Sequence, residues 1–239
     1  MKLHSFLGLC FVILPFFSCA GRISGSLSAD GSAALSVTMS LEPQMTALIR
    51  RMFAAAGAAA GPVLDGSAIT RSMSGAPGIA SVSLRNTTPS AVEGNVRISQ
   101  IGEFLAAADI ERASGGKFIV FEQGTGGRCE ININRDNGPV IIELLSPEIA
   151  NYLNALMAPI VTGEEMSKPE YLELVAVFYN KTISDEIAGS RIRASIDFPG
   201  PVSAVKGGTF SGRRAEFDIP LVDLLVLETP LSYEVRWGR

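Results

Sequence analysis

Apolar and polar residues alternate strictly through 33–40, with Leu35, Val37 and Met39 on one side and Ala34, Ser36 and Thr38 on the other. A period of two is the mark of a half-buried strand. Asp30-Gly31 precedes this run, and 22–29 alternates before it. The pair predicts a hairpin whose tight turn uses the positive φ that Gly tolerates. The same alternation predicts strands over 79–85 and 91–98 across turn residues 86–90, and over 117–122 and 129–134 across the glycine-rich 123–127. It returns at 191–198, 202–206, 214–218 and 231–237.

Elsewhere the period lengthens to that of a helix. Over 42–60, Met45, Leu48, Ile49, Met52 and Phe53 recur at helical spacing, after Glu42-Pro43 and before the stop at Gly61-Pro62. Shorter helices are expected near 65–73, 101–108, 184–188 and 220–226. Ser146-Pro147-Glu148 opens a mid-chain helix carrying Ile149, Tyr152, Leu153, Leu156 and Met157, and Ser167-Lys168-Pro169-Glu170 opens another carrying Tyr171, Leu172, Leu174, Val175 and Phe178. Strands on both flanks of the helices, joined as hairpins, predict an α+β fold. The expected layout is an antiparallel sheet of hairpins packed against a few amphipathic helices inserted mid-chain. No internal repeat stands out.

Composition narrows the function classes. The 239 residues carry a formal net charge of −4, with 47% hydrophobic and 18% charged positions, which suits one globular unit rather than disorder. Arg50-Arg51 and Arg213-Arg214 are isolated pairs and form no basic stripe. Nucleic acid is therefore not an expected partner, nor is electrostatic capture by anionic membrane. The single histidine, His4, lies in the first few residues.

Those first residues read as an address. Met1-Lys2-Leu3-His4 is followed by the apolar run 6–18 and then by Cys19-Ala20-Gly21. A basic start, a short apolar core and a small residue before the break form an export signal. The run is short for a bilayer span. Ser18-Cys19-Ala20-Gly21 resembles the lipobox of bacterial lipoproteins, and Phe16 and Phe17 give it the relaxed form seen in spirochaete lipoproteins. The resemblance implies cleavage after residue 18 and an acylated Cys19, with chains of the palmitate kind. It divides the chain into a signal at 1–18 and a single domain at 19–239. Membrane contact is then expected through this N-terminal lipid anchor. Ala20 and Gly21 in place of Asp favour the outer membrane, on the periplasmic face or at the cell surface.

Removal of residues 1–18 would leave no imidazole, which excludes Ser-His and Cys-His catalysis and His-based zinc sites. Of three cysteines, Cys10 is in the signal, Cys19 carries lipid, and Cys129 remains alone. Alternation points Cys129 inward with Ile131 and Ile133, as an inert buried thiol.

The two ends resemble the LppM-like domain of bacterial lipoproteins. The residues that carry this are Ser28-Ala29-Asp30-Gly31-Ser32 after the lipid site, Phe217–Leu225 with its Pro220 step, and 228–237, ending Val235-Arg236-Trp237. They are turn and packing positions, so the resemblance implies a membrane-tethered domain with an apolar groove for lipid and assigns no catalytic residue.

Candidate chemistry is sparse. Ser114-Gly115-Gly116-Lys117 has the S-x-x-K spacing of serine acyl enzymes, and Lys206-Gly207-Gly208-Thr209 distantly matches their second motif. Two glycines followed by a strand place Ser114 and Lys117 in a turn instead of on one helix face. Gly124-Thr125-Gly126-Gly127 runs into a strand, as a hairpin loop does and a phosphate cradle does not. Asp185-Glu186 and Glu164-Glu165 read as solvated faces, and Tyr233, Val235 and Trp237 as core. The expectation is a non-catalytic lipid- or amphiphile-binding module of the envelope, without metal or cofactor. Its candidate groove is lined by Leu153, Leu156, Leu174 and Phe178. The alternative is a structural lipoprotein that contacts another envelope protein.

Overall fold

A computed structural model describes residues 20–55, 57, 61–107, 118–139, 153–154 and 156–238. The signal, Cys19, the Ser114–Lys117 pair and the start of the helix expected from Ser146 lie outside these residues.

The first hairpin forms as the alternation requires. β1 (Ala20–Leu27) pairs antiparallel with β2 (Ala33–Ser40). Gly31 takes φ 83° in the turn, and the Asp30 carboxylate accepts from the backbone N–H of Ser32 at 2.9 Å and from its hydroxyl at 2.7 Å. β3 (Ile79–Thr88) and β4 (Ala91–Ile98) make a second hairpin that extends the sheet beyond β2.

Between that hairpin and the next long strands, the described chain runs through α1 (Pro43–Ala55) and α2 (Gly66–Met73) before β3, and α3 (Ile101–Ala107) after β4. It continues with β5 (Ile119–Glu122), β6 (Gly127–Ile133), α4 (Pro159–Thr162), α5 (Lys168–Phe178) and α6 (Lys181–Gly189). The C-terminal part holds β7 (Arg191–Asp197), β8 (Val202–Lys206), β9 (Thr209–Ser211), β10 (Arg214–Pro220), α7 (Leu221–Val226) and β11 (Leu231–Trp237).

The fold is α+β, with two sheets. One has seven strands in the order β3-β4-β2-β1-β7-β10-β9, and the other has four in the order β5-β6-β11-β8. The all-antiparallel expectation needs one correction, because β1 and β7 run parallel, with Ile23 opposite Ala194. The helices between them return the chain to the Ala20 end of the sheet, so β7 starts beside β1 and follows its direction. The short β9 was not anticipated; three exposed residues, Thr209–Ser211, give too little alternation to read.

Helix ends follow local chemistry. Asp65 caps α2, accepting from Ser67 and Ala68 N–H, each at 2.9 Å. Ser167 and Glu170 form a capping box at α5. Asn180 caps α6 through the N–H of Ile183 at 2.9 Å, which starts that helix three residues earlier than expected. α1 has no acidic residue in its first turn, and Glu186 of α6 supplies one, accepting from Gln44 N–H at 2.9 Å and Met45 N–H at 2.8 Å. A carboxylate on these free donors also meets the positive end of the helix dipole.

The inner face of the seven-stranded sheet is covered in two parts. Toward the Ser40 end, Val37, Met39 and Val92 share a core with Met45, Leu48 and Ile49 of α1. Toward the hairpin-turn end the four-stranded sheet covers it instead. That second contact is incomplete.

Candidate functional site, an apolar cavity between the sheets

Sheets stack about 10 Å apart when side chains of ordinary size interdigitate. Here the facing walls carry small residues where they meet. On the large sheet, Ala194 sits among Ile23, Leu35, Ile196 and Phe217, and on the small sheet Cys129 sits between Phe121 and Ile131. Gly25 is obligatory for the close approach of β1 and β2, because a Cβ there would lie 2.1 Å from the carbonyl oxygen of Ala34, and Leu35 covers its place. The shortfall leaves a half-enclosed cavity of about 280 Å³, closed at one side by Ile101, Phe104 and Leu105 of α3.

Register defines the walls. Across β5–β6–β11, Ile119 pairs with Ile131 and Ile131 with Tyr233, and in the next inward row Phe121 pairs with Cys129 and Cys129 with Val235. On the opposite wall Ile23 pairs with Ala194, and Ala194 with Phe217. Inward-facing side chains of a filled sandwich are fully buried. Here Ile23, Ala194, Ile196, Ile131 and Phe217 are only half-buried although they point inward, because they face open space. Tyr233 meets Phe217 across the gap edge-on, ring centres 5.7 Å apart.

The wall is almost wholly hydrocarbon. Ser26, Cys129, Tyr233 and Glu234 are its polar residues, and the Glu234 carboxylate is turned to the outer face, where Arg128 holds it at 2.8 Å and Arg236 at 2.5 Å. Arg236 and Arg128 together keep that carboxyl below the usual range, with Arg236 the larger cause. Burial pushes the Cys129 thiol up to about 11, helped by the neighbouring Glu130. A thiol so placed stays protonated and unreactive at neutral pH. Burial, with Asp223 adding to it, also pushes the Tyr233 phenol up to about 12.

The bottom of the site is fixed by aromatic packing. Trp237 stacks tilted against Phe198, centres 5.0 Å apart, and against Phe121 at 6.3 Å, and its indole N–H donates to the Gly124 carbonyl at 3.1 Å. The loop 123–127 is thus a hairpin turn, as its glycines imply.

The four residues expected to line a groove do not line this cavity. Leu153 and Leu156 are buried, Leu174 is half-buried, and Phe178 is 63% exposed. Among the described residues the two helices α5 and α6 pack closely. Tyr171 and Val175 of α5 are fully buried, the Ser184 hydroxyl of α6 donates to the Leu172 carbonyl at 2.7 Å, and the Tyr171 hydroxyl donates to the Leu156 carbonyl at 3.3 Å. None of the wall residues named above was among the expected site residues; Cys129, Tyr233 and Val235 were expected only to point into a core. The inward alternation was readable in each strand, but the mutual placement of two sheets was not.

The remaining candidates resolve into structural roles or fall outside the description. Lys206-Gly207-Gly208-Thr209 is the turn from β8 to β9. Asp185 pairs with Lys181 one turn away at 2.7 Å, and Glu186 caps α1. Glu165 reaches Arg135 at 3.5 Å while 89% exposed. Among the described residues no group of histidine, cysteine and carboxylates could hold a metal, and no helix is long and apolar enough to cross a membrane. Cys19 lies outside the described residues.

No family model and no curated protein matches the chain. Among solved structures it is similar to the folded domain of the Mycobacterium tuberculosis LppM protein, at a TM-score of 0.40 and 12% identity, over 91% of this chain and 88% of that one. That comparison lends nothing to the spirochaete-like character of the signal.

Proposed function

We propose that the protein binds an apolar or amphipathic molecule between its two sheets, and that it does so as a non-catalytic, Cys19-anchored lipoprotein of the bacterial envelope. The observation that carries this is the cavity of about 280 Å³ with its hydrocarbon wall. Apolar wall left uncovered forgoes the stabilisation of burial, about 25 cal/mol for each Å². Water is a poor filler, since a wall of isoleucine, leucine and phenylalanine offers it no partners. A ligand with hydrocarbon to bury gains what the empty fold forgoes.

The relaxed lipobox supports the anchor and an envelope location, with the outer membrane favoured. β1 begins at Ala20, the residue after Cys19, so the domain would sit directly on the membrane. The cavity starts at Ile23 and reaches Leu27, roughly 10 to 23 Å along the strand from Ala20 at about 3.3 Å per residue.

Binding is tested with 1-aminonaphthalene, a ten-carbon probe whose emission brightens and shifts to the blue in apolar surroundings. The wild-type chain should show saturable enhancement. Ala194→Trp, which places nine more heavy atoms in the cavity, should abolish it, while Leu174→Trp should leave it intact. Enhancement lost only in Leu174→Trp would return the site to the helices.

One observation favours the second reading, a surface for another envelope protein. Val177 and Phe178, adjacent at the end of α5, are 76% and 63% exposed. Exposed apolar pairs of this kind mark contact surfaces when they belong to a larger patch.

A further inference from the structure

The cavity has a definite capacity and almost no polarity, and together these specify the part of a ligand that can enter. An apolar cavity of about 150 Å³ takes up benzene, six carbons, so each carbon needs about 25 Å³. The 280 Å³ here then holds about eleven carbons. A charged or hydrogen-bonding headgroup inside would lose its water and gain no partner from Ile23, Ala194, Ile131 or Phe217. Two tails side by side would each be cut to five or six carbons, too short to repay the loss of a bilayer environment.

Resting on the reading that this cavity binds an apolar ligand, we propose that it is a measuring site for one hydrocarbon tail. It takes a single unbranched chain of about eleven carbons, with the headgroup left outside and unread. Ala194 and Cys129 set the length, because they are the small residues on facing walls where a larger side chain would shorten the space.

The test is a chain-length series on the full chain, using saturated fatty acids from hexanoate to octadecanoate below their aggregation limits, with the matching primary alcohols. Affinity is read by displacement of 1-aminonaphthalene. Each methylene that enters should raise affinity about fourfold, the equivalent of about 0.8 kcal/mol. The rise should stop near eleven carbons, at the same length for acids and alcohols. Ile131→Ala, which removes three side-chain carbons from the wall, should move the break about three carbons longer. A second wall variant, Ile23→Ala, should do the same if Ile131→Ala does not fold. A rise that continues unbroken to octadecanoate, or a break that differs between acids and alcohols, would overturn the single-tail measure while leaving apolar binding in place. No displacement at any length, with the probe itself unbound, would overturn the underlying reading as well.

Discussion

Cys129 stands opposite Phe121 in the β5–β6 ladder, and both side chains face the space between the sheets. The thiol therefore reports on the cavity. Burial raises it from 9.0 to about 11, so the folded protein holds that proton more tightly than the unfolded chain does. The stabilisation is complete below about pH 9 and is lost as pH rises through 11, on the order of 3 kcal/mol in all. Tyr233, pushed up to about 12, acts in the same direction at higher pH. Thermal unfolding should show a falling midpoint between pH 9 and 11, and Cys129→Ala should flatten the first part of that fall.

The same thiol should react slowly. At pH 8 only a small thiolate fraction exists, and access is through the cavity. Labelling by a maleimide in the native state should be at least tenfold slower than in urea, and slower again with dodecanoate present. Labelling unaffected by saturating dodecanoate would contradict a ligand against Cys129.

Glu186 ties α6 to the start of α1 through Gln44 and Met45. Substitution by Ala should cost about 1–2 kcal/mol, the usual value of a helix N-terminal cap with a charge contribution. Glu186→Gln keeps an acceptor and should recover about half. Urea unfolding measures both, and an unchanged midpoint for Glu186→Ala would remove the cap from the account.

Ala194→Leu places three more carbons in the cavity without displacing a packed neighbour. At about 0.8 kcal/mol per carbon buried, stability should rise by about 2 kcal/mol. A fall of similar size in thermal or urea unfolding would mean that the walls already meet there.

Phe178→Ser and Val177→Ser should change stability by less than about 0.5 kcal/mol, since both side chains are largely in solvent. Differential scanning calorimetry checks this. A larger loss would show that the end of α5 is covered in the protein as it exists.

The elements were legible in the chain because each leaves a local pattern. Leu35, Val37 and Met39 fix a strand face, Asp30-Gly31 a turn, and Ser167 with Glu170 a helix start. What was not legible lies between elements. Nothing local says that β7 returns beside β1, since that pairing depends on where the helices end. The site followed the same rule. Leu153, Leu156, Leu174 and Phe178 form an apolar stripe in sequence, but close packing of α5 on α6 buries the inward side and turns Phe178 to solvent. Ile23, Ala194 and the β6 pair Cys129 and Ile131 sit on three separate strands, and only stacking of the sheets brings them to one cavity. Alternation alone gave the inward direction of Cys129, Ile131 and Ile133, but not what they face.

The most direct test is native mass spectrometry of the protein extracted gently from membranes, wild type beside Ala194→Trp. The wild type should carry a bound apolar mass that is lost in Ala194→Trp, where nine added heavy atoms occupy the cavity, and retained in Leu174→Trp. A clean unliganded mass for the wild type, unchanged after incubation with dodecanoate and with envelope lipids, would contradict binding between the sheets.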